Sequence, residues 1–146
     1  MRVIRVGGSG RGVTLVELLV AIMVLVVSAV GLLAAYQSAI HLTEVAQQAN
    51  VAVNDLRDMM ERIENTAFAN LQNEFPNGAV NGVVGAGTEK YGAVIGGYTL
   101  SNEQVTVTHL PNTGADPREL VVQITWTNRG RTYQRSLSTI RSGRTT

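Results

Sequence analysis

The stretch RGVTLVELLVAIMVLVVSAVGLLAAY, residues 11–36, decides how this chain folds. From Leu18 to Tyr36 every residue is apolar except Ser28 and Gly31. A helix of about 20 such residues is long enough to cross the hydrocarbon core of a membrane. A secretory signal peptide has a shorter apolar core, of about 7–15 residues, closed by a small-residue cleavage site. No such site closes this run, so the stretch predicts a helix that stays in the membrane.

The charges beside the run predict its orientation. Arg2, Arg5 and Arg11 precede it without any acid among them, and positive charge tends to hold a flank in the cytoplasm. The chain after the run is therefore expected outside the cytoplasm. Glu17 is harder to explain, because a carboxylate at the edge of an apolar helix is costly unless it snorkels or finds a partner. A specific partner explains Glu17 better than a simple signal anchor does.

The residues GVTLVE, from Gly12 to Glu17, resemble the processing and assembly signal of type IV prepilins and the related pseudopilins. That signal is a basic leader ending in Gly, a hydrophobic or aromatic residue, Thr-Leu, an aliphatic residue, Glu and a long apolar helix. Val13 is the one departure, since the family more often has Phe or Met there. Major pilins often carry Pro where this chain has Ala34, so the resemblance is to minor pilins and pseudopilins.

The resemblance implies how the N-terminal segment works. A prepilin peptidase would cut between Gly12 and Val13 on the cytoplasmic side, and the new Val13 amine would be N-methylated. Glu17 would pair with the N-terminal amine of a neighbouring subunit during assembly. Such an ion pair is far stronger at low dielectric than in water, and an unpaired member is heavily penalised. The implied partners are other pilin or pseudopilin subunits, the peptidase and the inner membrane.

Beyond the apolar run the sequence predicts that the helix continues. Apolar residues recur at spacings of three and four from Leu42 to Ala67, which is typical of one face of a helix. No Pro or Gly interrupts residues 32–75. The helix is therefore predicted to run from Thr14 to at least Glu64, with a short turn or helix after it that packs back onto the domain through Phe68, Leu71 and Phe75.

The rest of the chain predicts a small antiparallel sheet. Residues 77–97 are rich in Gly and are predicted to form a loop. Strand-like stretches follow at Tyr98–Leu110, Glu119–Thr127 and Arg131–Ile140, and Asn128-Arg129-Gly130 has the composition of a tight hairpin turn. One face of the second stretch is apolar and consists of Leu120, Val122, Ile124 and Trp126. Trp126 and Tyr133 are expected to pack across the strands.

The predicted fold class is α+β and pilin-like, with a long N-terminal helix packed against a small antiparallel β-sheet. Three regions are expected. Residues 1–12 form the leader, residues 13–40 the hydrophobic transmembrane and assembly helix, and residues 41–146 an extracytoplasmic globular domain.

Composition narrows the function classes. The net charge is +1 and Lys90 is the only lysine, so the chain lacks the basic stripe of a nucleic-acid-binding protein. Cysteine is absent, which excludes a disulfide framework, a thiol nucleophile and a thiolate metal site. No cofactor is predicted.

No catalytic residue and no metal ligand are predicted. His41 and His109 have no fixed acidic neighbour and are expected to be structural or exposed. Asp55, Asp58 and Glu61 are expected on a solvated helix face. A Ca²⁺ site in the loop at residues 77–89 is not expected, since Glu89 is its only acid.

Three functions are compared. The first is a filament subunit of a type IV pilus or a type II secretion pseudopilus, two destinations that the sequence does not separate. The second is a signal-anchored extracytoplasmic binding domain outside any filament. The third, an enzyme on a membrane anchor, is weakest because no catalytic constellation is found. The chain is thus expected in the inner membrane before assembly, and then in a surface pilus or a periplasmic pseudopilus.

Overall fold

The structure, a computed structural model, describes residues 12–85 and 87–143. Its helices are α1 (Leu15–Asn65), α2 (Leu71–Glu74) and α3 (Tyr91–Val94), with a 3₁₀ turn at Phe68–Asn70. Its strands are β1 (Gln104–Leu110), β2 (Arg118–Asn128) and β3 (Arg131–Arg141). The chain divides into two compact units between Leu42 and Thr43, here called unit 1 and unit 2. The predicted α+β layout, a long N-terminal helix and a small antiparallel sheet, is confirmed.

Within unit 1, α1 is apolar on all sides and uncovered. It is long and apolar enough to cross a membrane, with a mean hydropathy of 2.9 over its most apolar window and no residue of that window buried. Its hydroxyls are satisfied inside the helix, since Ser28 Oγ donates to the Val24 carbonyl (2.8 Å) and Ser38 Oγ to the Ala34 carbonyl (3.1 Å). The helix therefore presents no unbonded Ser hydroxyl to an apolar surrounding.

Within unit 2, α1 buries one stripe. Ala52, Leu56, Met59 and Ile63 are buried as the predicted spacing requires, and the helix ends one residue after the predicted Glu64. The predicted ends of the stripe are wrong, because Leu42 and Ala67 are exposed. Helical periodicity finds the face, but burial starts only where another element covers it. The residues of the stripe belong to one core that also contains apolar residues of β1 and β2.

The sheet has the order β1-β2-β3, with both pairs antiparallel. The four apolar residues predicted on one face of β2, Leu120, Val122, Ile124 and Trp126, are all buried. Trp126 lies directly opposite Tyr133 on β3, and their rings stack with centroids 5.7 Å apart. The cross-strand packing predicted for this pair is confirmed.

The hairpin between β2 and β3 is as tight as predicted. Asn128 pairs with Arg131, which leaves two loop residues. Both have positive φ, 50° at Arg129 and 78° at Gly130, which is the pattern of a type I′ turn. Arg129 departs from the Asn or Asp usually found first in that turn, and its Nη2 forms an ion pair with Glu44 Oε2 at 3.0 Å.

The segment between α1 and the sheet differs from prediction at two points. Leu71 and Phe75 are buried and Phe68 packs against the same core, as predicted. However, the Gly-rich residues 77–97 were predicted as a loop and in fact include the short helix α3. This helix packs on the core, because Tyr91 is buried and its ring stacks on Phe75 with centroids 6.0 Å apart. The first strand-like stretch, Tyr98–Leu110, was also predicted too long at its start, since β1 begins at Gln104.

Glycine is required at one point beside α3. Gly82 has φ 69°, and a Cβ placed there would meet the Tyr91 ring at 2.9 Å. Gly82, one of the glycines that made this segment resemble a loop, therefore makes room for a buried tyrosine.

Candidate functional site

The residues predicted to be cleaved lie just before α1. Gly12, Val13 and Thr14 are exposed and outside any helix, and Val13 is 72% exposed. A Cβ added at Gly12 would have nothing within 4 Å. The Gly12–Val13 bond is thus exposed and outside regular secondary structure, where proteolysis concentrates. The other leader residues, 1–11, including Arg2, Arg5 and Arg11, lie outside the described residues.

Thr14 is the N-cap of α1. Its Oγ1 accepts a hydrogen bond from the backbone N–H of Glu17 (3.2 Å), and its carbonyl accepts one from Leu18 (3.1 Å). A threonine bonded to the N–H three residues on, where Glu stands, is the Thr half of a capping box. The sequence analysis missed this cap, although TLVE has the capping-box spacing.

Glu17 therefore has a local role at the start of the helix. It lies in the first turn of α1, where unpaired N–H groups and the helix dipole favour a negative charge. This stabilisation is typically about 0.3–1 kcal/mol. It offsets part of the cost of a carboxylate at a membrane edge, so the position of Glu17 is not by itself proof of an intersubunit partner.

The apolar surface of α1 that follows is the largest uncovered feature of the described chain. Large apolar side chains are exposed on every side of the helix, including Leu25 (68%), Val27 (71%) and Leu32 (72%). A helix that is apolar all round is normally covered by lipid or by other helices. Gly31 has nothing within 4 Å of a Cβ position, and such a small residue lets a second helix approach closely.

Unit 2 carries an open groove of about 860 Å³. Its charged lining residues are Asp58, Glu61, Arg62, Glu74, Glu89 and Lys90. Within residues 12–85 and 87–143, the lining contains no Ser, His or Cys to act as nucleophile or imidazole base, and no three metal-binding side chains cluster. The groove is therefore a polar surface depression with both signs of charge.

His109 is structural, as predicted. It is 1% exposed, and its Nε2 lies 2.8 Å from the Phe75 carbonyl oxygen. Its backbone N–H donates to Asn77 Oδ1 (2.9 Å). Desolvation by burial lowers the pKa of His109, so the ring is held neutral. It joins β1 to the segment after α2. His41, the other histidine, lies within α1.

Asp55 corrects the predicted solvated face. Asp58 and Glu61 are exposed as expected, but Asp55 is only 7% exposed. It stands three residues after Ala52 and four before Met59, on the same face as the buried stripe. Its charge led to the prediction of an exposed residue at a position that the helical spacing places on the buried face. A second buried acid, Glu103, is 6% exposed and acts on Asp55, raising its pKa after the larger effect of burial.

Arg118 is a third buried charged residue, after Asp55 and Glu103, and it was not predicted. It is 4% exposed, its Nη1 and Nη2 donate to the carbonyls of Thr113 and Phe68, and its guanidinium lies 4.3 Å from the Phe68 ring centroid. Its alternation with Leu120 in β2 was the available signal. Arg118 fastens the 3₁₀ turn to the sheet rather than forming a site.

Known proteins add nothing to this geometry. No protein-family model matches the chain, and comparison with curated proteins and with solved structures finds no match. A function for this chain therefore rests on its own residues.

Proposed function

We propose that the chain is a minor pilin or pseudopilin subunit that is cleaved between Gly12 and Val13 and assembles through α1 into a type IV pilus or a type II secretion pseudopilus. The observation that carries the proposal is the motif GVTLVE at the start of a helix whose residues 18–40 carry no charge. The motif supplies a cleavage site, a capped helix start and one carboxylate in the first turn.

Cleavage would change the charges at the membrane edge. Removal of Arg2, Arg5 and Arg11 leaves 12 − 3 = 9 basic against 11 acidic residues, a net charge of −2. It also creates an amine on Val13, immediately before the Thr14 cap. A positive charge at the positive end of the helix dipole is unfavourable there. The amine would consequently be stabilised by a carboxylate brought close to it.

Assembly would provide that carboxylate. In a bundle of such helices Glu17 of one subunit can pair with the Val13 amine of the next, at a dielectric where breaking the pair costs about 3–5 kcal/mol. The same bundle would cover the apolar surface that unit 1 leaves exposed. The pair would act as a register device, because a subunit is stable only when its charges meet those of a neighbour. The protein would then be structural and not an enzyme.

The runner-up is a signal-anchored binding domain that enters no filament. The position of Glu17 in the first turn of α1 favours it, because the helix dipole and the unpaired N–H groups there give the carboxylate a role within its own helix. The two functions differ in what Glu17 contributes between chains, and substitutions at Thr14 and Glu17 separate them.

The experiment compares Glu17→Ala with Thr14→Ala in the full chain. A photo-crosslinking residue at exposed position 27 reports contact with other pilin subunits. We expect Glu17→Ala to insert and be cleaved normally, while its crosslinks to other subunits fall by about 100-fold, the equivalent of about 3 kcal/mol. Thr14→Ala removes the cap at a cost of about 1 kcal/mol but keeps the carboxylate, so it should lose far less crosslinking.

Crosslinking of Glu17→Ala to other subunits at the wild-type level would refute the intersubunit role of Glu17. Equal losses in the two variants would show that helix capping, and not pairing between chains, is what Glu17 supplies.

A further inference from the structure

Two acidic side chains meet inside the core of unit 2. Asp55 comes from α1, and Glu103 stands immediately before β1. They are 7% and 6% exposed, and Glu103 lies close enough to raise the pKa of Asp55 through its charge and through hydrogen bonding. Buried carboxylates normally face a cation or several N–H donors, so a carboxyl pair in the core requires an explanation.

The remaining hydrogen bonds of the pair are few. Glu103 Oε2 accepts the backbone N–H groups of Thr99 and Leu100, both at 2.9 Å. The other oxygens, Glu103 Oε1 and Asp55 Oδ2, are buried, and no donor from elsewhere in the described chain reaches them. Each carboxyl therefore keeps one buried oxygen that no donor of the described chain satisfies.

An ionised carboxylate only accepts hydrogen bonds, so two of them can bond to each other only through a proton. Two carboxylates in one buried site also repel too strongly for both to be ionised. The other titratable groups around the pair add no positive charge. The charge of Asp58, on the same helix, raises the pKa of Asp55. The charges of Glu89 and Glu103 raise the pKa of Tyr98, which lies in the turn.

We infer that Asp55 and Glu103 share one proton, forming a proton-binding site that fastens α1 to the turn at residues 98–103. This inference does not depend on the proposed function. This turn is also hydrogen-bonded to β2, because the Thr127 N–H donates to the Ser101 carbonyl at 2.8 Å. Loss of the proton would leave two negative charges in contact and loosen α1 from the sheet at this point.

The pH window follows from the surroundings of Asp55. Its surroundings raise the pKa of Asp55 to about 7. Burial is the largest cause, followed by the charge of Glu103, hydrogen bonding with Glu103 and the charge of Asp58. In the unfolded chain the same group has a pKa of about 3.9. Between these values the folded protein holds a proton that the unfolded chain releases. The stabilisation is therefore complete below about pH 4 and is lost as the pH rises through about 7.

The test uses the full chain in detergent micelles, with the fluorescence of Trp126 as the probe. Trp126 is the only tryptophan, is 1% exposed, and donates its Nε1–H to Gln48 Oε1 (3.1 Å), so it reports the unfolding of unit 2. We expect the wild-type Tm to fall by more than about 5 °C between about pH 5 and about pH 9. An infrared band from a protonated carboxyl should disappear over the same step.

Asp55→Asn replaces the protonated acid by an amide that can still donate to Glu103. We expect this variant to lose the Tm step and to melt above the wild type at about pH 9. Asp58→Asn is the matched control, because it removes the same charge from an exposed site one turn further along α1. It should keep the step.

A Tm step of wild-type size in Asp55→Asn would overturn the shared proton. An increase of the wild-type Tm by Ca²⁺ at about pH 9, without an increase for Asp55→Asn, would also overturn it. A cation, and not a proton, would then lie between the two carboxyl groups. If Asp55→Asn does not fold, Glu103→Gln and the wild-type infrared band decide the matter, and absence of that band at about pH 5 contradicts the inference.

Discussion

The two units use the same helix in opposite ways. In unit 1, Leu25 of α1 is 68% exposed, and its apolar neighbours are exposed on every side. In unit 2, Met59 of the same helix is fully buried in a core completed by β1 and β2. Apolar residues lie on all sides of the helix where no other part of the chain covers it. They are confined to one stripe where the sheet covers that stripe. Unit 2 therefore contains its own core, whereas the described chain leaves the apolar surface of unit 1 uncovered.

The largest expected effect is that of separating the units. A fragment of residues 43–146 retains the whole core of unit 2, together with the Glu44–Arg129 ion pair. We expect it to be soluble without detergent and to melt cooperatively when followed by Trp126 fluorescence. The full chain should need detergent or lipid. A fragment that melts without cooperativity would show that unit 2 depends on unit 1.

A smaller effect distinguishes the two parts of the helix residue by residue. Met59→Ala leaves a cavity in the core and should lower the free energy of unfolding of unit 2 by about 2–5 kcal/mol. Leu25→Ala is the matched control, since it shortens an apolar side chain that contacts no core. Denaturant titration in micelles, read from Trp126, should show no change for Leu25→Ala. Similar losses in both variants would contradict the division into two units.

Periodicity was a good guide wherever a whole face shares one environment. The alternation Leu120, Val122, Ile124 and Trp126 predicted the inner face of β2, and the residues Arg129-Gly130 predicted the hairpin. Both signals are local, because strand pleat and turn type depend on residues close in sequence.

Prediction failed where a distant residue changes the environment of a polar one. Asp55 is buried because Glu103 meets it from the turn before β1, and Arg118 is buried because it binds the Phe68 carbonyl, 50 residues away in sequence. The residues close in sequence to Asp55 and Arg118 do not indicate which distant residue each of them contacts. Tyr91 was missed for a related reason, since Gly82, one of the glycines that indicate a loop, serves here to admit its ring.

The candidate site was predicted in part. The spacing from Gly12 to Glu17 marked the segment as special, and the structure places these residues at the exposed start of α1. The N-cap at Thr14 was not predicted, although its Oγ1 accepts the backbone N–H of Glu17 in the first turn. Cleavage, methylation and pairing depend on partners outside the chain and stay predictions.

The mass of the mature chain isolated from membranes that contain a prepilin peptidase tests the proposed function most directly. We expect a chain that begins at Val13 and carries one added methyl group on its amine. A Gly12→Val control should keep its leader without any change in fold, because a side chain at position 12 meets nothing within 4 Å. A wild-type chain that retains Met1 in those membranes would contradict the assignment to pilins and pseudopilins.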